Sequence, residues 1–427
     1  MELTPGRRVR TRLAGLFLFL PLLAELGWSR LVEAAGYPGS AMIPAANALL
    51  ALLALKLIGK QRRSHSDDLN FDETVGLFCG LNVPPKKSFM SEYSYRTCRD
   101  NQRRLLLGWG RGLSGLLFAQ ADTFSLDFHP IPHRGEEPAL ERHYVSTQGR
   151  ARPSVLSFFA SEQDRRVLCY SNANLTRSEQ AAEPFRFVEF WRELSGRDPV
   201  WLYFDSRVTT YEELSRLNQR QVQFVTIRRR GSALVQRLRG LPASAWSGAV
   251  ISTPKRCHQH VRYVDERVRL RGYAGQTRQV AVDGLGKEEP TLLISNNEQE
   301  TARNLIIRYA GRNRVEDGLG SAVDFFHLDR LSSEVRLNAD LDCALSVLAH
   351  GCYRWLGSCV KGYEAVKPKR LSRHFVETGG LVEVKEDRVV VTLDRRSHNP
   401  LLREAALDRE RTAVPWLRQL PVQFCYS

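Results

Sequence analysis

The sequence predicts an α/β protein. One mixed sheet is flanked by helices and interrupted by a β-rich segment, between a helical N-terminal region and a small β-containing C-terminal segment. Three observations predict this. Near residue 116 the hydrophobic period changes from helical to alternating, as in Thr123-Phe124-Ser125-Leu126-Asp127-Phe128-His129. Val200-Trp201-Leu202-Tyr203-Phe204 is a continuous apolar run of the kind a central, doubly covered strand needs. Between 232 and 294 short alternating runs are separated by glycines, and from Asn297 the helical period returns.

Length and charge set the frame. A chain of 427 residues exceeds one ordinary core, so two or three domains are expected. Hydrophobic content of 43% and charged content of 26% describe a folded chain, which excludes an intrinsically disordered class. Lys and Arg number 62 against 47 Asp and Glu, a net charge of +15 that suits a partner with a dense negative surface, most simply nucleic acid. The eight cysteines form no CxxC pair and read as free thiols. Cys257-His258-Gln259-His260 has zinc-ligand types, but no second half-site lies nearby.

Residues 1–115 read as helical. Arg7, Arg8, Arg10 and Arg12 precede the apolar run Leu13–Leu23, which imitates a signal peptide, and Ala45–Leu55 is a second apolar run. Neither reaches the roughly 20 residues that cross a bilayer, so two buried helices are expected, Leu13–Ala34 interrupted at Pro21 and Ala45–Lys60. Phe71–Leu81 is a third. Tyr95–Trp109 carries Arg96, Arg99, Arg103 and Arg104 between apolar residues; it is either a DNA-facing helix or a solvated face.

Strands are expected at Thr123–His129, His143–Thr147, Val155–Phe159 and Val167–Tyr170, then a packing helix at Glu179–Ser195. The central run Val200–Phe204 ends in Asp205-Ser206. Thr209 or Thr210 caps the next helix, with Glu212 and Glu213 in its first turn. Gln223–Ile227 is a further strand, ending in Arg228-Arg229-Arg230, which are candidate phosphate contacts. The β-rich segment holds Val261–Val264, Val268–Arg271, Gln279–Val282 and Thr291–Ile294. A helix broken near Gly311 follows, and another at about Asn338–Val360. The tail pairs Leu381–Val384 with Val389–Leu393 and ends in a strand at Val422–Tyr426. The divisions are 1–115, 116–231, 232–296, 297–365 and 366–427.

The chemistry gathers on acids. Tyr309, Arg312 and Glu316 recur at i, i+3 and i+7, one helical face carrying a phenol, a guanidinium and a carboxylate. Taken alone, this is an ordinary amphipathic face with an Arg–Glu pair. Asp205 ends the central strand, where a helix cap or turn residue is the bland reading. Asp127 alternates with Leu126 and Phe128 within a strand, and Asp122 competes with it. Together the three acids form a carboxylate set suited to two Mg²⁺ ions, with Mn²⁺ as a substitute; hard cations take oxygen ligands.

These motifs, Leu126-Asp127-Phe128-His129, Phe204-Asp205-Ser206 with Thr209-Thr210-Tyr211, and Tyr309…Arg312…Glu316, resemble bacterial insertion-sequence DDE transposases with an RNase H-like core. The closer likeness is to the group whose third-acid helix carries Tyr-x2-Arg-x3-Glu-x6-Lys, and it covers roughly residues 116–360. The resemblance implies an RNase H-like mixed sheet split by a β-rich insertion. It implies a metal-binding catalytic triad of Asp127, Asp205 and Glu316, and phosphate contacts from Tyr309 and Arg312. It implies Mg²⁺-dependent cleavage at the element's ends, 3′-hydroxyl strand transfer into double-stranded target DNA, a homodimer on DNA, and a place on the nucleoid in the bacterial cytoplasm with no stable membrane partner. The signature Lys falls on Val323, and the family's base-stacking Trp has only Trp246 to match it. A catalytically inactive DNA-binding derivative and a basic protein anchored through Leu13–Leu55 are the alternatives.

Overall fold

The computed structural model describes residues 3–61, 63–70, 72–133, 140–145, 148–253, 256–286, 288–330 and 336–427; of 63, 64, 253, 256–258, 313–317 and 337 it describes the backbone alone. The chain is a mixed α/β protein with two mixed sheets and a helical N-terminal region.

The N-terminal region begins with a short strand the sequence reading missed, β1 (Arg8–Thr11). The apolar run that follows is a 3₁₀ turn at Ala14–Phe19 leading into α1 (Leu20–Glu25) and α2 (Trp28–Ala34). Pro21 opens α1, where its missing N–H costs nothing. The break falls instead at Gly27, whose φ of +66° admits the left-handed turn, and the two parts meet at 61°. The Ala45 run is α3 (Ala45–Leu57), buried from Ala48 onward. Next come α4 (Glu73–Phe78), capped by the Asp72 carboxylate, α5 (Lys87–Glu92) and α6 (Arg99–Gly112). Among the described residues no single helix is long and apolar enough to cross a membrane; only the bent Ala14–Ala34 pair meets the criterion.

The large sheet starts with β2 (Thr123–Pro132), β3 (Arg142–Val145), β4 (Arg150–Glu162) and β5 (Leu168–Asn172). Helix α7 (Glu183–Ser195) leads to β6 (Trp201–Phe204), then α8 (Tyr211–Gln219), capped by the Thr210 hydroxyl, and β7 (Gln223–Ile227). Pairing is antiparallel for β5–β4 and β4–β2, and parallel for β2–β6 and β6–β7. The central strands are covered on both faces. Leu202, Phe204 and Phe224 join the main core, while Trp201, Tyr203 and Val225 join a second cluster on the opposite face.

Segment 232–296 opens with a helix that the sequence reading missed, α9 (Ser232–Arg239), followed by β8 (Ser247–Thr253), β9 (Arg256–Arg269), β10 (Gln276–Asp283) and β11 (Thr291–Ser295). The runs read as two strands at 261–264 and 268–271 are one long strand, because Asp265, Glu266 and Arg267 keep the alternation. Their side chains pair across the sheet and outward, Asp265 with Arg278, Glu266 with Arg237 and Arg267 with Glu298. These strands continue the main sheet, since β11 bonds antiparallel to β7.

Helix α10 (Ala302–Ala310) lies over the second cluster, and α11 (Asn313–Asp324) follows after Gly311 and Arg312. Helix α12 (Arg336–Cys359) runs against α3, α6 and β5. The remainder is α13 (Pro368–Leu371) with a π turn at Ser372–Val376, then β12 (Gly380–Val384), β13 (Val389–Leu393), α14 (Asn399–Ala405), β14 (Ala413–Val414) and β15 (Leu420–Tyr426). The small sheet has the order β1-β12-β13-β15-β14, so the first strand of the chain edges the last sheet. A single hydrophobic cluster runs from Leu3 to Phe424 and binds N-terminal helices, large sheet and C-terminal sheet together.

Candidate functional site

The site is built on strand register. In the parallel pair β2–β6, Thr123 faces Trp201 and Leu126 faces Phe204. The next position on each strand is an acid, Asp127 on β2 and Asp205 just past β6. Two carboxylates thus come from neighbouring positions at the carboxyl end of a parallel pair. In open α/β sheets that end is where the crevice for ligands lies. Strand β6 stops there because Asp205 and Ser206 turn the chain, with the Asp205 carboxylate accepting the Ser206 N–H. Strand β2 continues past it, so Asp127 to Pro132 pair with β4 alone.

Asp122 lies at the opposite end of β2. Its carbonyl accepts the Val200 and Trp201 amides and its carboxylate the Thr123 hydroxyl, five residues from Asp127 along the strand.

Helix α11, which contains Glu316, packs across β2 and β4. The side chain of Glu316 lies outside the described residues. Tyr309 and Arg312 do not share one continuous helix with Glu316. Tyr309 is in the last turn of α10, Gly311 and Arg312 form a turn that keeps right-handed helical dihedrals, and α11 starts at Asn313. The single amphipathic face read from the spacing is therefore divided between two helices. Across the break, the Arg312 guanidinium sits 5.7 Å from the Tyr309 ring centroid and 3.6 Å from Asp127. Tyr309 itself packs at the edge of the second cluster.

Beside Asp127, two residues along the same strand, His129 holds Asp329 through Nε2 at 2.7 Å. Asp329 follows α11, so the turns before and after that helix each place a side chain on β2. Sequence reasoning missed Asp329; its only signal is the His327-Leu328-Asp329 stretch after the helix.

On its other side Asp205 lines a cleft of about 450 Å³ with Ser206, Thr209, Tyr211, Arg229 and Arg271. Of the three arginines after β7, Arg228 donates to Gln279 and Arg230 pairs with Glu289. Arg229 is exposed and makes no hydrogen bond or ion pair among the described residues.

The other sequence candidates find different surroundings. Arg262 lies over the Trp246 indole, which packs beside Leu238 and Leu292. Val323 is half-buried against the main core. Cys257 and His258 have side chains outside the described residues. In α6, Arg99 turns inward to the buried Asp340 and Arg103 pairs with Glu193, so this helix is neither a wholly solvated face nor a free basic one.

Among the described residues no three His, Cys, Asp or Glu side chains form a metal-sized group. The Asp127–Asp205 pair offers only hard carboxylate oxygens, which fits a divalent cation of the Mg²⁺ kind and not a soft metal. Around the site, burial raises the Tyr203 phenol to about 12, and Arg308 donates to its oxygen.

No protein-family model matches the chain, and no curated protein matches it.

Proposed function

We propose that the chain is a DDE transposase with an RNase H-like core, cleaving DNA at the ends of a bacterial insertion sequence and joining the freed 3′-hydroxyl to target DNA. The observation that carries this reading is the register of Asp127 with Asp205 at the carboxyl end of a parallel pair, beneath α11 with its Glu316. The sheet order β5-β4-β2-β6-β7, three antiparallel strands followed by two parallel ones, supports an RNase H-like core. The acidic set Asp127, Asp205 and Glu316 would hold Mg²⁺, or Mn²⁺ in its place. When bound, such ions activate the attacking oxygen and stabilise the leaving one.

The chain's own residues orient the DNA. Arg312, stacked near Tyr309, neutralises charge beside Asp127, and Arg229 offers a guanidinium at the Asp205 cleft. In the first step the oxygen of water bonds to phosphorus and the bond to the 3′ oxygen breaks. In the second, the freed 3′-hydroxyl attacks a phosphodiester of the target and displaces its 3′ oxygen. Two ends brought together imply two copies of the chain on double-stranded DNA, at the nucleoid in the cytoplasm.

A second reading, a catalytically inactive DNA-binding derivative, is favoured by Val323, where the signature Lys would stand and a packed apolar side chain stands instead. Nicking of supercoiled plasmid DNA in Mg²⁺ or Mn²⁺ separates the two. Wild-type protein should nick, and Asp205→Asn should lose at least about a hundredfold in rate, as loss of a principal transition-state stabiliser does. Equal background from both proteins overturns the enzyme and leaves the derivative.

A further inference from the structure

Several cations of the N-terminal region are engaged internally: Arg7 pairs with Glu73, Arg8 with Glu383, Lys56 with Asp342, Arg99 with Asp340 and Arg103 with Glu193. Those around α13 are not. Arg330, Lys369, Arg370, Arg373 and Arg396 make no ion pair among the described residues. Residues 361–373 hold five Lys or Arg against one acid, Glu364. Lys369, Arg370, Arg373 and Arg396 are all exposed.

These cations belong to one surface. Arg396 donates to the carbonyls of Arg373 and Glu377, which ties the loop after β13 to the π turn. The His374 and His398 rings lie 4.1 Å apart within it. Burial first, then His398 and the nearby Arg370, Arg373 and Arg396 guanidiniums, hold His374 below the ordinary imidazole range. At the other edge, burial and the charges of Lys56, Arg330 and Lys369 do the same to His327. The patch therefore runs from the turn after α11 onto α13, and α13 packs against α11. The interspersed acids are already engaged: Asp394 pairs with Arg10, and Glu377 accepts from the Ser372 hydroxyl.

We infer that this face, Arg330, Lys369, Arg370, Arg373 and Arg396, is the track for the phosphate backbone of double-stranded DNA, and that the arginine-bearing helix α6 is not. The inference deepens the transposase reading and rests on it for the identity of the polyanion. A duplex held here continues beside α11, the helix that carries Glu316. Guanidiniums and ammoniums with no ion pair among the described residues give up none of these on meeting phosphate, and each phosphate neutralised releases condensed counterions. The cations at α6 would first have to abandon their carboxylates.

The test is the salt dependence of binding to a fluorescently labelled duplex oligonucleotide in EDTA, where no cleavage occurs. For Lys369→Ala/Arg370→Ala/Arg373→Ala the slope of log K against log salt should become shallower by about 2 to 3, at roughly 0.9 per phosphate contact. Arg103→Ala/Arg104→Ala should keep the wild-type slope, and melting temperatures should confirm that both variants fold. Asp205→Asn should bind with the wild-type slope, so loss of cleavage and loss of this surface are separate results. An unchanged slope in the triple variant, a lower slope in the α6 variant, or wild-type protein that ignores duplex DNA overturns the proposal. Tighter capture by phosphatidylserine vesicles than by duplex overturns it in favour of a membrane surface.

Discussion

The Arg312 guanidinium faces the Asp127 carboxylate, Nη1 standing 3.6 Å from Oδ2. Asp127 is the strand acid in register with Asp205, so a fixed positive charge sits where a bound cation would compete for the same oxygens. Both side chains are largely buried, Arg312 13% and Asp127 25% exposed, so solvent screens the pair only in part.

The first prediction follows from that competition. Replacing Arg312 by Ala should raise the affinity of DNA-free protein for Mn²⁺, by up to about tenfold, a change of about 1.4 kcal/mol. The same variant should cleave DNA at least about tenfold more slowly, because the charge that shields phosphate from the carboxylates is gone. Calorimetric Mn²⁺ titration and plasmid nicking measure the two effects. A fall in Mn²⁺ affinity would show instead that Arg312 supports the carboxylate geometry.

What the sequence made legible divides along physical lines. Strands β2, β6 and β7 and helix α8 stood out because each combines a clean period or apolar run with a turn or cap signal, and Thr210 does cap α8. Asp127 and Asp205 were legible as candidates because one alternates with apolar residues inside a strand and the other closes a buried strand. Their register was not, since pairing between positions 78 residues apart leaves no local trace. Strand β1 was hidden for the same reason: Arg8–Thr11 has no apolar pattern of its own and is a strand because β12 accepts it. The face shared by Tyr309, Arg312 and Glu316 assumed one helix through Gly311, and the structure ends one helix at Ala310 and starts the next at Asn313. The ion pairs of α6 were invisible because Asp340 lies 241 residues from Arg99.

A second prediction concerns acid stability. His350 is buried in α12, its Nδ1 accepting the Leu168 amide at 3.3 Å, and burial pushes its pKa from 6.5 down to about 3. Between those values the unfolded chain binds a proton that the folded chain refuses. The stabilising effect is therefore fully present above about pH 6.5 and is lost as pH falls toward 3, at about 1.4 kcal/mol per pH unit. Glu162 works the other way, since burial raises its carboxyl, so the comparison must be between wild type and a variant. His350→Gln keeps a hydrogen-bond acceptor and has no proton to gain. Urea unfolding from pH 7 to pH 4.5 should show wild type losing stability faster than the variant; parallel curves would mean that His350 does not titrate on unfolding.

The last prediction tests whether the N-terminal helices are a detachable module. Lys56 of α3 is buried, and its ammonium bonds Asp342 of α12 and the Phe326 carbonyl. The pair is 7% and 3% exposed, so removing one partner leaves the other's charge buried and its strongest compensation gone. Breaking a buried pair from one side costs about 3–5 kcal/mol, whereas replacing both with apolar side chains of similar size is often neutral. Lys56→Met should accordingly lower the urea midpoint sharply, and adding Asp342→Leu should restore most of the loss. Phe326 and its turn lead out of α11, so the same lysine also anchors the end of the helix that bears Glu316. Lys56→Met should therefore lower DNA nicking even at temperatures where the protein stays folded, with the double variant recovering stability more fully than nicking. Equal recovery of both would confine the pair to a packing role, and a single variant as stable as wild type would show that the two regions separate without cost.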